Sequence, residues 1–436
     1  MGKRKIINLK DGAVLLYQRR RINKSACFQL FFNVGTANSE YKPGLLHFGE
    51  HLRCKQTKNL SQEKCNEIMT KNAMYLNGST SLSRLSFICL NSVKKIVPTL
   101  ELMVEKMLCP KLDDETFENE KKVICNEIDR TKDDDNRNIY INMKKNILKN
   151  EFYLCDNIGE HSDIHSYNQE MVQQHISKVI NSNNLVISVA GNISLFRVRY
   201  LIKKYVMNKI NTSPSQIKAI DPNFEFNDSS KLSITTNTNA TTNVSISFPL
   251  ELNGKYFGLK ENIILSRYIM SLLNDKTGII YKELREKNGL IYSGYADYFC
   301  KENKAHLNIQ YKTNKSQIKD GLLVLSKAFK TLTMSKEKME EIKLKNKLSE
   351  DKLMPISVEQ TTFKLFSAYD YYKQFISKRL YKRLYHKITL EEINDIIKRL
   401  LSSQKIFVSV YGNANEEDVF KIEELENMFL NKENIN

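Results

Sequence analysis

Asn184-Leu-Val-Ile-Ser-Val-Ala-Gly-Asn192 reads like Lys405-Ile-Phe-Val-Ser-Val-Tyr-Gly-Asn413, with Gly412 following Gly191 by 221 residues. The same offset aligns Glu170, in SYNQEMVQQHISKVI, with Glu391, in ITLEEINDIIKRLL. Each copy runs from an amphipathic helix into a short apolar strand and then a Gly turn. A period this long marks a duplicated domain and not a solenoid of short repeats. Between the copies, residues 211–230 (NTSPSQIKAIDPNFEFNDSS) are rich in loop-forming Pro, Ser, Asn and Asp. Two tandem homologous domains are therefore expected, at 1–212 and 231–436.

Within the first copy, KIINL and AVLLYQR flank Asp11-Gly12 as a hairpin. CFQLFFNVG and Leu85–Asn91 read as strands. Helices are predicted over 43–55, with Pro43 near the first turn, and near 62–72, 92–108 and from about 115, where Asp113 and Asp114 supply caps. Strands and helices mix without strict βαβ alternation. The expected class is α+β, each domain a mostly antiparallel sheet backed by helices.

The 436 residues are 41% hydrophobic and 27% charged, enough apolar content for a sizeable core and a normal share of charge. No apolar run reaches eighteen residues, so no membrane span is expected. The N-terminal apolar stretch Ala13–Tyr17 is too short for a secretory signal, and Ile6 stands where a myristoylation motif wants Ser or Thr. A cytoplasmic protein is the expectation. Cysteines at 27, 54, 65, 89, 109, 125, 155 and 300 form no CxxC pair and sit mostly in apolar stretches, as reduced core thiols do. The net charge of +17 suits an acidic partner, but the lysines are spread along the chain. The one compact run, Arg19-Arg20-Arg21, has no interleaved aromatics, which argues against nucleic-acid binding.

Residues 47–51 read His-Phe-Gly-Glu-His. On a helix, positions i and i+4 share a face, so His47 and His51 can bind one metal ion. Glu50 projects to the same side and can serve as general base to a water. This is the inverted His-x-x-Glu-His pattern. A catalytic zinc takes three protein ligands, so a third must come from elsewhere. Glu120 and Glu127 lie seven apart on one predicted helix and face the same side. One can bind the metal while the other orients a ligand, and periodicity alone does not say which does which.

Gly44-Leu-Leu-His47-Phe-Gly-Glu50-His51 resembles the Gly-x-x-His-Phe-x-Glu-His segment of the pitrilysin/insulysin family of zinc metallopeptidases (inverzincins), whose short two-domain members include the mitochondrial processing peptidases. The resemblance implies one Zn2+ per chain held by His47, His51 and Glu127, with Glu120 supporting them. Asn77-Gly-Ser-Thr80 resembles the family's Asn-Ala-x-Thr segment, which implies an edge where substrate backbone docks, with Asn77 and Thr80 as binding residues. Leu284-Arg285-Glu-Lys-Asn-Gly289-Leu-Ile-Tyr292 resembles a second signature, which implies that Arg285 and Tyr292 contact substrate and the developing oxyanion. Gly49, Cys54, Gln56, Asn72 and Ala73 depart from the family's usual residues.

What the resemblance implies is a zinc-dependent endopeptidase acting on short or unfolded peptides, possible tasks being leader or presequence processing. Its chamber would be formed by a homodimer or by a heterodimer with a related subunit. The second half has no His-x-x-Glu-His and is expected to hold substrate. The competing reading is a non-catalytic peptide-binding or scaffold subunit of a heterodimeric peptidase. The intact motif argues against it.

Overall fold

The structure, a computed structural model, describes residues 3–149, 156–219, 225–252, 258–301, 304–351 and 356–430. Cys155 and positions 220–224 of the expected inter-domain stretch lie outside the described residues.

The first sheet has six strands: β1 (Arg4–Asn8), β2 (Val14–Arg19), β3 (Ser25–Phe32), β4 (Tyr75–Thr80), β5 (Leu85–Ser92) and β6 (Leu185–Gly191). Their order is β1-β2-β6-β3-β5-β4. Only the β2–β6 pair is parallel. The side-chain period of two sorts residues onto two faces. Leu15, Tyr17, Phe28, Leu30 and Phe32 enter the main core with helix α3 (Ile96–Leu108), which carries Leu100, Met103 and Val104. Val14, Leu16, Phe31 and Val186 point to the other face, against Leu365 and Phe366. Phe31 and Phe366 stack with ring centroids 3.7 Å apart.

The second sheet has strands β7 (Lys231–Thr236), β8 (Thr242–Glu251), β9 (Ser293–Lys301), β10 (Lys304–Thr313) and β11 (Phe407–Gly412), in the order β7-β11-β8-β10-β9. Again one pair, β7–β11, is parallel and the rest antiparallel. The expected architecture, two homologous α+β halves with mostly antiparallel sheets backed by helices, is the one observed.

The packing units do not follow a single cut in the chain. One comprises Met1–Thr131, Cys155–Pro222 and Pro355–Phe375; the other comprises Lys132–Leu154, Asn223–Met354 and Ile376–Asn436. Helix Asp135–Ile147 precedes the repeat boundary yet packs on the second sheet, where Asn146 Nδ2 donates to Val408 O at 2.8 Å. Helix Val358–Tyr372 follows the boundary yet covers the first sheet, where Ser188 Oγ donates to Thr362 O at 2.8 Å. These helices start 223 residues apart, close to the repeat offset, so each packing unit takes an equivalent helix from the other repeat. The expected halves, 1–212 and 231–436, were drawn from the repeat, and the packing units cross them.

Two local points bear on the site. Helix α2 (Gln62–Lys71) ends at Asn72-Ala73, and Ala73 has a φ of 48°, a left-handed conformation that favours glycine. Ala73→Gly relieves that strain and loses part of the gain to the greater freedom of glycine in the unfolded chain. The expected net is a stabilisation of up to about 1 kcal/mol, read from denaturant midpoints at unchanged slope. Arg20 is buried and donates to Thr361 Oγ1 at 2.9 Å, so the Arg19–Arg21 run is not an open basic patch. No described helix is long and apolar enough to cross a membrane. The seven cysteines described are all free thiols.

Candidate metal centre

The motif lies on helix α1 (Leu45–Arg53), which starts two residues after Pro43 and not at it. Gly44 caps the helix with a φ of 72°, and a Cβ there would lie 2.3 Å from Ile158 O. Only glycine meets both demands. Leu45, Phe48 and Leu52 form an apolar stripe that docks on Phe117, Ile124 and Ile128 of helix α4 (Asp114–Lys132). Phe48 stacks on Phe117 at 4.7 Å. This contact sets the helix of the two histidines against the helix of the two glutamates.

Gly49 explains itself in the same packing. A Cβ at this position would lie 2.9 Å from Ile176, on helix Gln169–Val179. Gly49→Ala gains helix propensity of about 1 kcal/mol but overpacks by roughly 1–3 kcal/mol. A net loss of about 1 kcal/mol is expected in thermal or denaturant unfolding. Combining it with Ile176→Ala should cost less than the sum of the two single changes; strict additivity would mean that the contact is not the cause.

Three donors converge. Atoms of His47, His51 and Glu127 lie within 4.8 Å of one another. Glu127 Oε2 is 4.0 Å from His47 Nε2 and 3.6 Å from His51 Nε2. Behind them, His51 Nδ1 is 3.1 Å from Glu120 Oε2, and Glu120 Oε1 accepts from Lys55 Nζ at 2.7 Å. Glu120 therefore grips the far nitrogen of His51, while Glu127 shares the space between the two Nε2 atoms. Helical periodicity left these two roles open, and the family resemblance implied Glu127 as ligand with Glu120 supporting it.

Burial, with a smaller push from His51, lowers His47 from 6.5 to about 3, so its imidazole is neutral, as a metal ligand must be. Burial also pulls His51 down, but the Glu120 hydrogen bond and the charges of Glu50, Glu120 and Glu127 outweigh it and raise its pKa. Burial opposes ionisation of Glu120, yet its bonds to His51 and Lys55 win and hold it below the usual range. Two imidazoles and a carboxylate are the donor set of a catalytic zinc, and the buried His47 Nδ1 has no partner among the described residues. These residues fit a zinc ion.

Glu50 stands outside the three donors, close enough for its charge to act on His51, and takes its hydrogen bonds from Thr80 of β4 and from Cys54. Thr80 Oγ1 donates to its Oε2 at 3.4 Å and Cys54 Sγ to its Oε1 at 3.5 Å. A Cβ on Gly78 would lie 2.1 Å from Glu50 Oε1. The glycine makes room for this carboxylate. Burial raises the Glu50 pKa, partly offset by His51 and by the Cys54 and Thr80 bonds. The strand β4 is the sheet edge, and Asn77 and Thr80 both lie on it.

The departures from the family pattern have local uses. Gln56 donates to Asp113 Oδ2 at 2.8 Å and Thr116 Oγ1 at 2.9 Å, tying the end of the motif to the start of α4. Asp113 caps that helix through Thr116 N at 2.9 Å. Cys54 and Lys55, which sequence reasoning did not assign to the site, bond Glu50 and Glu120. Only their closeness to the motif signalled them.

Arg285 and Tyr292 belong to the second packing unit. Arg285 is exposed at the end of helix Ile280–Lys287, its guanidinium 5.8 Å from the Tyr281 ring centroid. Tyr292 is 54% exposed and donates to Asn314 Oδ1 at 2.8 Å. Neither is engaged in a buried core contact. A second group of metal-ligand type, Cys125, His161 and His165, also went unread. Its signal was the i, i+4 spacing of the two histidines; the carboxylate beside it, Asp129, lies 2.8 Å from His161 Nε2 and is exposed, unlike the buried Glu50.

Residues 14–153 match the family described as Insulinase (Peptidase family M16), and residues 166–346 match the one described as Peptidase M16 inactive domain. The chain is 25% identical over 209 residues to a Helicobacter pylori protein named zinc protease PqqE, covering 47% of each. It is 24% identical over 190 residues to an uncharacterized zinc protease of Rickettsia felis, covering 43% of this chain and 46% of that one. These alignments span about half the length of each relative. A crystal structure of a protease from Helicobacter pylori superposes with a TM-score of 0.79 at 17% identity, over 94% of this chain and 99% of that one. The first half of the periplasmic protease PqqL from Escherichia coli gives 0.79 at 18% identity, over 99% and 97%. At such identities the structures speak for the fold. The family matches cover both repeats, and the inverted histidine motif falls within the first of them: the chain belongs to the M16 (insulinase) family of peptidases.

Proposed function

We propose that the chain is a zinc-dependent endopeptidase acting on short or unfolded peptides. The observation that carries this reading is the convergence of His47, His51 and Glu127 beside a buried Glu50 that is held only by long bonds from Thr80 and Cys54. A zinc ion held by the two histidines and Glu127 supplies Lewis acidity toward water and a peptide carbonyl. Glu120 fixes the ring of His51 through Nδ1. Glu50, whose carboxylate burial makes more basic than usual, takes the proton of the attacking water and returns it to the leaving amine. The edge strand β4 offers its free backbone groups to an extended substrate, with Asn77 and Thr80 beside the cut bond. Arg285 and Tyr292 donate to the oxyanion, as the family resemblance implies, from a second chain of a homodimer or a related subunit. A cytoplasmic site of action and a closed dimeric chamber belong to the same proposal.

The experiment is a peptide-library digest read by mass spectrometry, on wild type and Glu50→Gln, each with and without chelator. Cleavage by wild type alone, abolished by chelation, supports the reading. Equal cleavage by both proteins would assign it to a contaminant. Absence of cleavage by the assembled, zinc-loaded protein would favour a non-catalytic peptide-binding subunit.

A further inference from the structure

Two cations are buried beside the candidate site with no carboxylate to meet them among the described residues. Arg53, the last residue of α1, is 4% exposed. Its Nη2 donates to Ser177 Oγ at 3.0 Å, while Nε and Nη1 have no partner among the described residues. Lys106, on α3, is 5% exposed, and its ammonium meets Cys54 O at 2.8 Å and Met69 Sδ at 3.9 Å. Among the described residues neither forms an ion pair. Buried charges are ordinarily paired, because an uncompensated one costs several kcal/mol of desolvation.

Both line one small cavity of about 40 Å³, together with Cys54, Leu76, Asn77 and Phe87. The cavity adjoins the general base. Cys54, on its wall, donates to Glu50, and Leu76 and Asn77 immediately precede Gly78, the residue against which the Glu50 carboxylate lies. A peptide aligned along β4 therefore passes its side chains over this cavity within a residue or two of the bond to be cut. Leu76, Phe87, Met69 and Met103 make most of the wall apolar, and the two charged groups on it are both cations. That combination accepts a short side chain ending in an anion and leaves a lysine or arginine of the substrate facing like charge.

Resting on the peptidase reading above, we propose that Arg53 and Lys106 form a specificity subsite for the carboxylate of an acidic substrate residue flanking the cleaved bond. Arg53 supplies unpaired hydrogens on Nε and Nη1, either of which can donate a charge-assisted bond to a carboxylate. Lys106 adds the second charge from α3. The pairing is buried, so it discriminates differently from the overall charge of +17, whose pull on acidic peptides is screened by salt.

The test uses matched peptides bearing Glu, Gln, Ala or Lys at each position on either side of the cut. Each is measured for cleavage by the wild-type protein and for binding to the Glu50→Gln protein, at low and high salt. The expected result is a preference for Glu over Gln of roughly tenfold or more at one flanking position, largely kept at high salt. Arg53→Met and Lys106→Met should each collapse that ratio toward one, and Arg53→Lys should restore part of it. No preference at any flanking position overturns the proposal, whether or not cleavage occurs. So does a preference that both variants leave unchanged, or one that vanishes with salt. Should acetate or inorganic phosphate stabilise wild type but not Arg53→Met against heat, with no acidic preference in peptides, the cavity holds a free anion and the proposal also falls. Binding to the Glu50→Gln protein keeps this test separate from the catalytic one: loss of all cleavage with acidic preference in binding would sink the peptidase reading and leave the subsite standing.

Discussion

Glu50→Gln lowers kcat for peptide cleavage by about 10²–10⁴-fold while the zinc content stays at the wild-type level. The side chain is outside the group of convergent donors, which consists of His47, His51 and Glu127. It is instead held by weak bonds from Thr80 of β4 and from Cys54 at 3.4 and 3.5 Å. An amide of the same shape can keep both contacts, so the fold and the metal ligands are undisturbed. What the amide cannot do is accept a proton. The expected signature is therefore a fall in kcat with bound metal unchanged. A fall in both kcat and zinc content would mean that Glu50 helps to hold the ion, and unchanged kcat would remove it from the mechanism.

The same substitution has an opposite effect on stability. Burial raises the Glu50 pKa above its unfolded value. Between the two values the native state binds more protons than the unfolded chain, so stability falls as pH rises through that window. Gln removes this dependence. The metal-free variant should unfold at a higher temperature than metal-free wild type at neutral pH, and its stability should change less from the ordinary carboxylate range upward. Lower stability at neutral pH would show that the bonds to Glu50 outweigh its desolvation. A buried carboxylate that costs stability and supports chemistry is the expected compromise at an active site.

Much of this was legible before any coordinates. The offset between Gly191 and Gly412 gave the duplication, because a buried strand and its Gly turn repeat as a recognisable unit. The inverted motif gave the site helix, because i, i+4 spacing is a property of the helix alone. The exchange of helices Asp135–Ile147 and Val358–Tyr372 was not legible, since an apolar stripe specifies burial but not which of two similar sheets receives it. In the sequence, Gly49 and Gln56 read only as departures from the family's usual residues. In the fold, one admits Ile176 and the other secures α4. Arg53 and Lys106 were two cations among 67, and nothing in their immediate sequence separates a buried one from a solvated one.

The choice between Glu120 and Glu127 was likewise beyond periodicity, and it yields the other large effect. Glu127→Gln should raise the zinc dissociation constant more than Glu120→Gln, for which about 10–100-fold is expected. An amide oxygen is a poor substitute for a carboxylate lying between two imidazole nitrogens, at 4.0 and 3.6 Å from them. A glutamine at 120 can still accept a bond from His51 Nδ1, so part of the orientation survives. Charge works against orientation here. The carboxylate of Glu120 helps to raise the His51 pKa, and zinc must displace whatever proton His51 carries. Glu120→Gln makes that proton easier to lose, which returns some affinity, but leaves the ring less firmly held. Orientation should prevail at pH above the range in which His51 holds its proton, and the deficit should shrink as pH falls into that range. Chelator competition across pH reads the affinities, and calorimetry in buffers of different ionisation enthalpy counts the protons released. Glu120→Gln should release fewer protons than wild type on binding zinc. If instead it loses zinc more completely than Glu127→Gln, the two carboxylates have exchanged roles, with Glu120 the ligand and Glu127 the outer partner.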